Sequence, residues 1–250
     1  MMSHARLAAL AFAVFFAALP AHAQTQLRCG PFINYAPAAP APRVDFWAVK
    51  SGERINAQVK TMPYRVLFFG DSIIERWLLP LWDAKPVWDA NMPQRGVLNA
   101  AVSGDRTENL RWRLEHGNLD GPAPKGVILL IGTNDLATGR QPAEAAEGVR
   151  AALTRLRDQL PTTRILLLGL TPRGATADDP LRLAVVATNK LIQTCAGNQI
   201  TYADIGGVLL DASGVLSKDL SPDLLHFNGA GYQRLVPKLD PLIDRLVGSP

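Results

Sequence analysis

The sequence predicts an α/β chain in three layers, with a five-stranded, parallel, doubly wound sheet held between two layers of helices. Two patterns carry that prediction. Five short apolar runs read mostly as continuous rather than alternating, which is what strands covered on both faces require. Between them, apolar residues recur three and four apart, the spacing that gives a helix one buried stripe. Strands alternating with helices and joined by right-handed crossovers favour the flavodoxin-like strand order 2-1-3-4-5.

The elements follow in chain order. Residues 1–23 have the parts of an export leader: His4 and Arg6 at the start, an apolar run from Leu7 to Leu19, and small residues around a cleavage point after Ala23. The expectation is a soluble chain exported to the periplasm or the medium. Residues 24–60 form a Pro- and Ala-rich lead followed by a helix over Asp45–Val59, and residues 61–250 form a single domain. Strands are expected at Tyr64–Phe69, Gly96–Val102, Gly126–Ile131, Arg164–Leu170 and Ile200–Ile205. Helical stripes run through Ala146, Val149, Leu153, Leu156 and Leu160, and through Leu181, Val185, Thr188, Ile192 and Cys195. A last stripe takes in Tyr232, Leu235, Leu239, Leu242 and Leu246, where Pro237 and Pro241 are expected to kink or shorten the helix.

Composition narrows the function classes. A formal charge of +4 over 250 residues is small, and no dense run of Lys or Arg points to nucleic acid or an anionic membrane. The apolar run of the leader is short for a stable membrane span. Neither a phosphate loop nor a dinucleotide fingerprint is present. The two cysteines, Cys29 and Cys195, are free to pair in an oxidising compartment, and the sequence leaves that pairing open.

Chemistry concentrates in loops that follow the apolar runs. In Phe68-Phe69-Gly70-Asp71-Ser72 a strand ends at a glycine and a serine follows at a helix start, a place to mount a nucleophile. A serine nucleophile needs a base. With the leader removed only His116 and His226 remain, and His116, ahead of Gly117, reads as a residue at a helix C-terminus. His226 lies in Ser221-Pro222-Asp223-Leu224-Leu225-His226, where Asp223 is close enough in chain to hold the imidazole. The backbone N–H groups of Ser72 and Gly104 and the side-chain amide of Asn134 are available as donors to a developing oxyanion. Trp77, Trp82 and Trp88 follow the serine closely and read either as walls of a cleft or as packing. Arg106 and Arg173 are candidate substrate contacts, against the default of local pairing.

Gly-Asp-Ser at 70–72, Gly104, Gly-Thr-Asn-Asp at 132–135 and Asp-Leu-Leu-His at 223–226 resemble the four blocks of the SGNH hydrolases, also called GDSL esterases. The likeness extends from about Leu67 to Tyr232. The segments Gly104–Asn109, Trp112–Glu115 and Leu170–Gly174 look like the branch that contains the platelet-activating-factor acetylhydrolase catalytic subunits. The resemblance implies Ser72 as nucleophile, His226 as base, Asp223 as its orienting acid, and Ser72, Gly104 and Asn134 as the oxyanion hole. It implies no metal or cofactor, and a small-molecule acyl ester, acetyl first, as substrate. Ile73 and Ile74 depart from the family pattern, as does Asp135, which stands where close relatives often carry a second Asn. A non-catalytic domain that binds acylated ligands is the rival reading.

Overall fold

The computed structural model describes residues 27, 29–30, 32, 36–197 and 199–248. The expected leader and its cleavage point lie outside the described residues. Five strands, β1 (Val66–Gly70), β2 (Val97–Asn99), β3 (Gly126–Leu130), β4 (Arg164–Leu168) and β5 (Ile200–Ala203), form one sheet in the order β2-β1-β3-β4-β5. Every neighbouring pair is parallel. Successive residues of a strand point to opposite faces, and both faces are covered. Leu67, Phe69, Val127, Leu129, Ile165 and Leu167 enter one apolar core, while Val66, Phe68, Ile128, Leu130, Leu166 and Leu168 enter the other.

The first core is closed by α1 (Phe46–Thr61), α4 (Thr107–Glu115) and α6 (Pro142–Gln159). α6 also packs against α7 (Pro180–Ile192). On the other face lie α2 (Ser72–Glu75), α3 (Ala84–Asn91) and α8 (Gly229–Val247). A short helix, α5 (Thr133–Ala137), follows β3. No described helix is long and apolar enough to cross a membrane.

Two expectations are corrected. The second strand is three residues long rather than seven, because Asn99 turns its side chain back on the chain. Its Nδ2 donates to the Ile74 carbonyl and its Oδ1 accepts from the Ala101 N–H. The chain nevertheless stays alongside β1, with Ala100 N–H donating to Phe68 O and Val102 N–H to Gly70 O. Of the kink or shortening expected from the prolines, the shortening does not occur, since α8 runs for 19 residues with Pro237 and Pro241 inside it. Its stripe of Tyr232, Leu235, Val236, Leu239, Ile243 and Leu246 is buried on the sheet, and that burial offsets the backbone hydrogen bonds that two prolines remove.

Ahead of α1 the described residues of the lead form a strap across α4 and α6. Cys29 is bonded to Cys195, the Phe32 N–H donates to Glu147 Oε1, and the Asn109 side chain and Arg111 donate to the carbonyls of Ala41 and Ala38. The bridge joins residues 166 apart in sequence, so it removes a large closure entropy from the unfolded chain, on the order of 2–4 kcal/mol. Cys29→Ser is therefore expected to lower the thermal unfolding midpoint by roughly 5–15 °C. An unchanged midpoint in calorimetry would show that the bridge does not constrain the unfolded chain.

Candidate active site

In a doubly wound parallel sheet, ligands bind beyond the carboxyl ends of the strands. Every block picked out in the sequence lies at that edge. Ser72 follows β1, Gly104 follows β2, Asn134 follows β3, Arg173 follows β4, and Asp223 and His226 lie in the long segment between β5 and α8. The turn into Ser72 needs Gly70, because a Cβ there would sit 2.8 Å from the Leu130 carbonyl of the neighbouring strand. Asp71 caps the short helix by accepting from the Ile73 N–H at 3.0 Å.

His226 is held by its own loop. The Asp223 Oδ1 accepts from the backbone N–H groups of Leu225 and His226, and the Ser221 hydroxyl donates to the His226 carbonyl. Leu224 between them takes a left-handed φ of 59°, a conformation that costs a branched residue some strain and closes the loop tightly. The result is a hydrogen-bonded line. His226 Nε2 lies 2.7 Å from Ser72 Oγ, and His226 Nδ1 lies 2.7 Å from Asp223 Oδ2. Ser72 and His226 are 6% and 7% exposed, while the Asp223 side chain keeps 41% of its surface. The acid is therefore half in water.

Electrostatics follow from that burial. Removal from water pushes the His226 imidazole below its ordinary value, and the cations of Arg76 and Arg173 push it further, against the opposing pull of Asp223. Partial burial would raise the Asp223 carboxyl, but hydrogen bonds from the His226 ring and backbone outweigh it and leave the group lowered. Beneath the serine, burial pushes Asp71 up to about 7, and its Oδ2 has no hydrogen-bond partner. Asn134 Nδ2 donates to the Asp105 carbonyl at 2.9 Å, which leaves the amide a second hydrogen to give. Among the described residues no group of three or more His, Cys, Asp or Glu side chains gathers as a metal-ligand set.

A family model for the GDSL-like lipase/acylhydrolase family matches residues 68–234. The chain belongs to that family. It is 30% identical over 184 residues to the platelet-activating factor acetylhydrolase IB subunit alpha2 of Rattus norvegicus, covering 73% of this chain and 77% of the relative. It is 29% identical to the human alpha1 subunit, over 78% of this chain and 82% of the relative. A GDSL-like lipase from Bacteroides thetaiotaomicron superposes with a TM-score of 0.64 at 19% identity, over 80% of this chain and 99% of the other. An acetylxylan esterase from Geobacillus stearothermophilus gives 0.57 at 19%, over 77% and 97%. At these identities the two structures speak for the fold. As a GDSL-type acylhydrolase, the protein is a carboxylic ester hydrolase.

Other expected residues fall elsewhere in this GDSL fold. Trp77, a candidate wall of the cleft, is wholly buried, stacked on Tyr232 at 4.5 Å and edge-on to Trp88 at 5.6 Å, so it packs under the site rather than facing substrate. Trp82 is half-buried beneath the Arg76 guanidinium. Arg106 pairs locally with Glu108 at 2.8 Å, whereas Arg173 reaches the site's edge and donates to the Thr133 carbonyl and hydroxyl. Asp135 accepts from the Thr107 N–H and hydroxyl and pairs with Arg140, so the departure from Asn ties α5 to the start of α4. His116 stacks on Trp112 at the end of α4, far in role from Ser72. Sequence reasoning missed Arg76, which lies 3.8 Å from Asp223 Oδ2. No local pattern marks it, since its partner lies far along the chain.

Proposed function

We propose that this protein is a serine esterase that removes short acyl groups, acetyl first, through an acyl-Ser72 intermediate. The observation that carries the reading is the line Ser72–His226–Asp223 with both links at 2.7 Å. Ser72 Oγ attacks the ester carbonyl carbon while His226 Nε2 takes the hydroxyl proton, and the carbonyl π pair moves onto oxygen. The resulting oxyanion is stabilised by the N–H groups of Ser72 and Gly104 and by the Asn134 amide. When the pair returns, the C–O bond to the alcohol breaks and His226 gives the leaving oxygen its proton. Water, deprotonated by the same imidazole, then repeats the addition and releases the acid. Asp223 holds the ring and supports the imidazolium.

The acetyl preference is supported by the relatives named as acetylhydrolases. Turnover of aryl esters with acyl chains of two to twelve carbons tests it, and kcat/KM is expected to be highest at two. A maximum at eight or more carbons would favour a lysophospholipase-like role. Acetylated sugars in the same screen distinguish a carbohydrate O-acetylesterase. Export through a leader at residues 1–23 remains part of the proposal, in keeping with a disulfide that an oxidising compartment would maintain.

With His226 as base, the pH dependence has a definite sign. Activity needs the neutral ring, and burial holds its pKa below 6.5. The acidic limb of kcat/KM is therefore expected to have its midpoint below 6.5, with activity retained as pH rises from there to 8. A midpoint at 7 or above in a pH–rate profile would mean that the Asp223 pull outweighs burial.

A further inference from the structure

Arg43 belongs to the strap, outside the residues that match the family model, and takes no part in the chemistry described so far. Its Nη1 donates to the Ser103 carbonyl at 3.1 Å and lies 3.6 Å from Asp105 Oδ1. Its Nε and Nη2 both donate to Asp45 Oδ2, at 2.9 and 2.6 Å. Two bonds to one carboxylate oxygen fix the plane of the guanidinium, and the third then has a defined direction.

The carbonyl of Ser103 and the N–H of Gly104 are the two ends of one peptide group. A trans peptide is planar, so holding the oxygen on one side aims the N–H to the other. The next residue is a glycine with φ +76°, and glycine alone leaves such a peptide free to rotate at little steric cost. The preceding N–H, that of Ser103, is fixed as well, donating to Glu75 Oε2 at 2.7 Å. A carboxylate thus holds one side of Ser103 and a guanidinium the other. The contact is close, since a Cβ at residue 104 would lie 2.8 Å from Arg43 Nη1. Among the described residues, the Gly104 N–H itself has no protein acceptor.

The geometry points to Arg43 as a positioning residue for the oxyanion hole: it orients and polarises the Ser103–Gly104 peptide so that the Gly104 N–H meets the developing charge. The inference rests on the serine-esterase reading, in which that N–H is a donor. A charged donor on the carbonyl oxygen draws electron density along the amide and strengthens the N–H at its far end. The benefit falls on the tetrahedral state, where the charge is, and not on the bound ester.

The experiment compares the full chain with Arg43→Met, Arg43→Lys and Ser72→Ala on an acetyl aryl ester, together with inhibition by an anionic alkylphosphonate that mimics the tetrahedral state. Arg43→Met is expected to lower kcat by about tenfold, less than the loss of a whole donor, with KM within about twofold. Phosphonate affinity should fall in step with kcat. Arg43→Lys should recover part of both, because an ammonium still presents a charged donor but lacks the fork. Should Arg43→Met fail to fold, the same comparison between Arg43→Lys and the unaltered chain decides the matter. Ser72-dependent turnover with kcat and phosphonate affinity untouched by substitution at residue 43 overturns this inference alone. A rise in KM with kcat unchanged also overturns it and makes Arg43 a substrate contact. Turnover that survives in Ser72→Ala, or its absence from the unaltered chain, overturns the esterase reading and this inference with it.

Discussion

Ser72→Ala is expected to lower turnover of a short-chain ester by about 10⁴- to 10⁶-fold, the range seen when a triad nucleophile is removed. The effect is large because the reaction is divided in two by the covalent acyl-serine. The hydroxyl is also the group the buried imidazole is aligned with, 2.7 Å away. Alanine fits the space, so folding should survive and near-UV circular dichroism should be unchanged. His226→Ala is expected to cost a comparable factor, and the double variant no more than either single one, since serine and imidazole act as a unit. Losses that multiply in the double variant would show two independent contributions and sink the triad. A domain that only bound acylated ligands would have no turnover to lose.

The second large effect is expected at Asn134. Its amide has two hydrogens, of which one holds the Asp105 carbonyl at 2.9 Å, leaving one for the oxyanion. Asn134→Ala should lower kcat by about 10²- to 10³-fold with KM little altered, as for one preorganised donor. Asn134→Asp should be worse, because it keeps the shape but sets a carboxylate beside the developing negative charge. Steady-state kinetics on both variants check the order. If the aspartate variant equalled or exceeded the alanine one, the oxyanion would not form at residue 134.

Much of the site was legible because its parts are local in sequence. Gly70-Asp71-Ser72 is a strand end and a helix start within three residues, and Asp223 lies three residues from His226, so each half of the hydrogen-bonded line could be read from one short window. The strands were legible for the same reason, since continuous apolar runs mark strands with two covered faces, and their order followed from the right-handed crossovers that alternating strands and helices require. The parts that resisted reading depend on distant partners. Arg43 meets Ser103 across 60 residues, and Arg76 meets Asp223 from the other end of the domain. Nothing in the Pro-rich lead marks one arginine among its neighbours. Trp77 shows the same limit from the opposite side: following the serine by five residues placed it near the site in chain, but only the stacking on Tyr232 decided that it faces inward. In α8 both the penalty of two prolines and the apolar stripe were readable, but not which of the two prevails over the helix's length.

The strap also bears on how this protein is to be dissected. A fragment beginning at residue 68, where the family match starts, would keep the serine, the imidazole and the acid. It would discard the half-cystine at 29, the guanidinium at 43 and the apolar side chains of Ile55 and Val59 that cover one face of the sheet. Such a fragment would bare that face to solvent and invite self-association. The smallest piece that contains the reactive groups is therefore not the smallest piece that would behave as a catalyst.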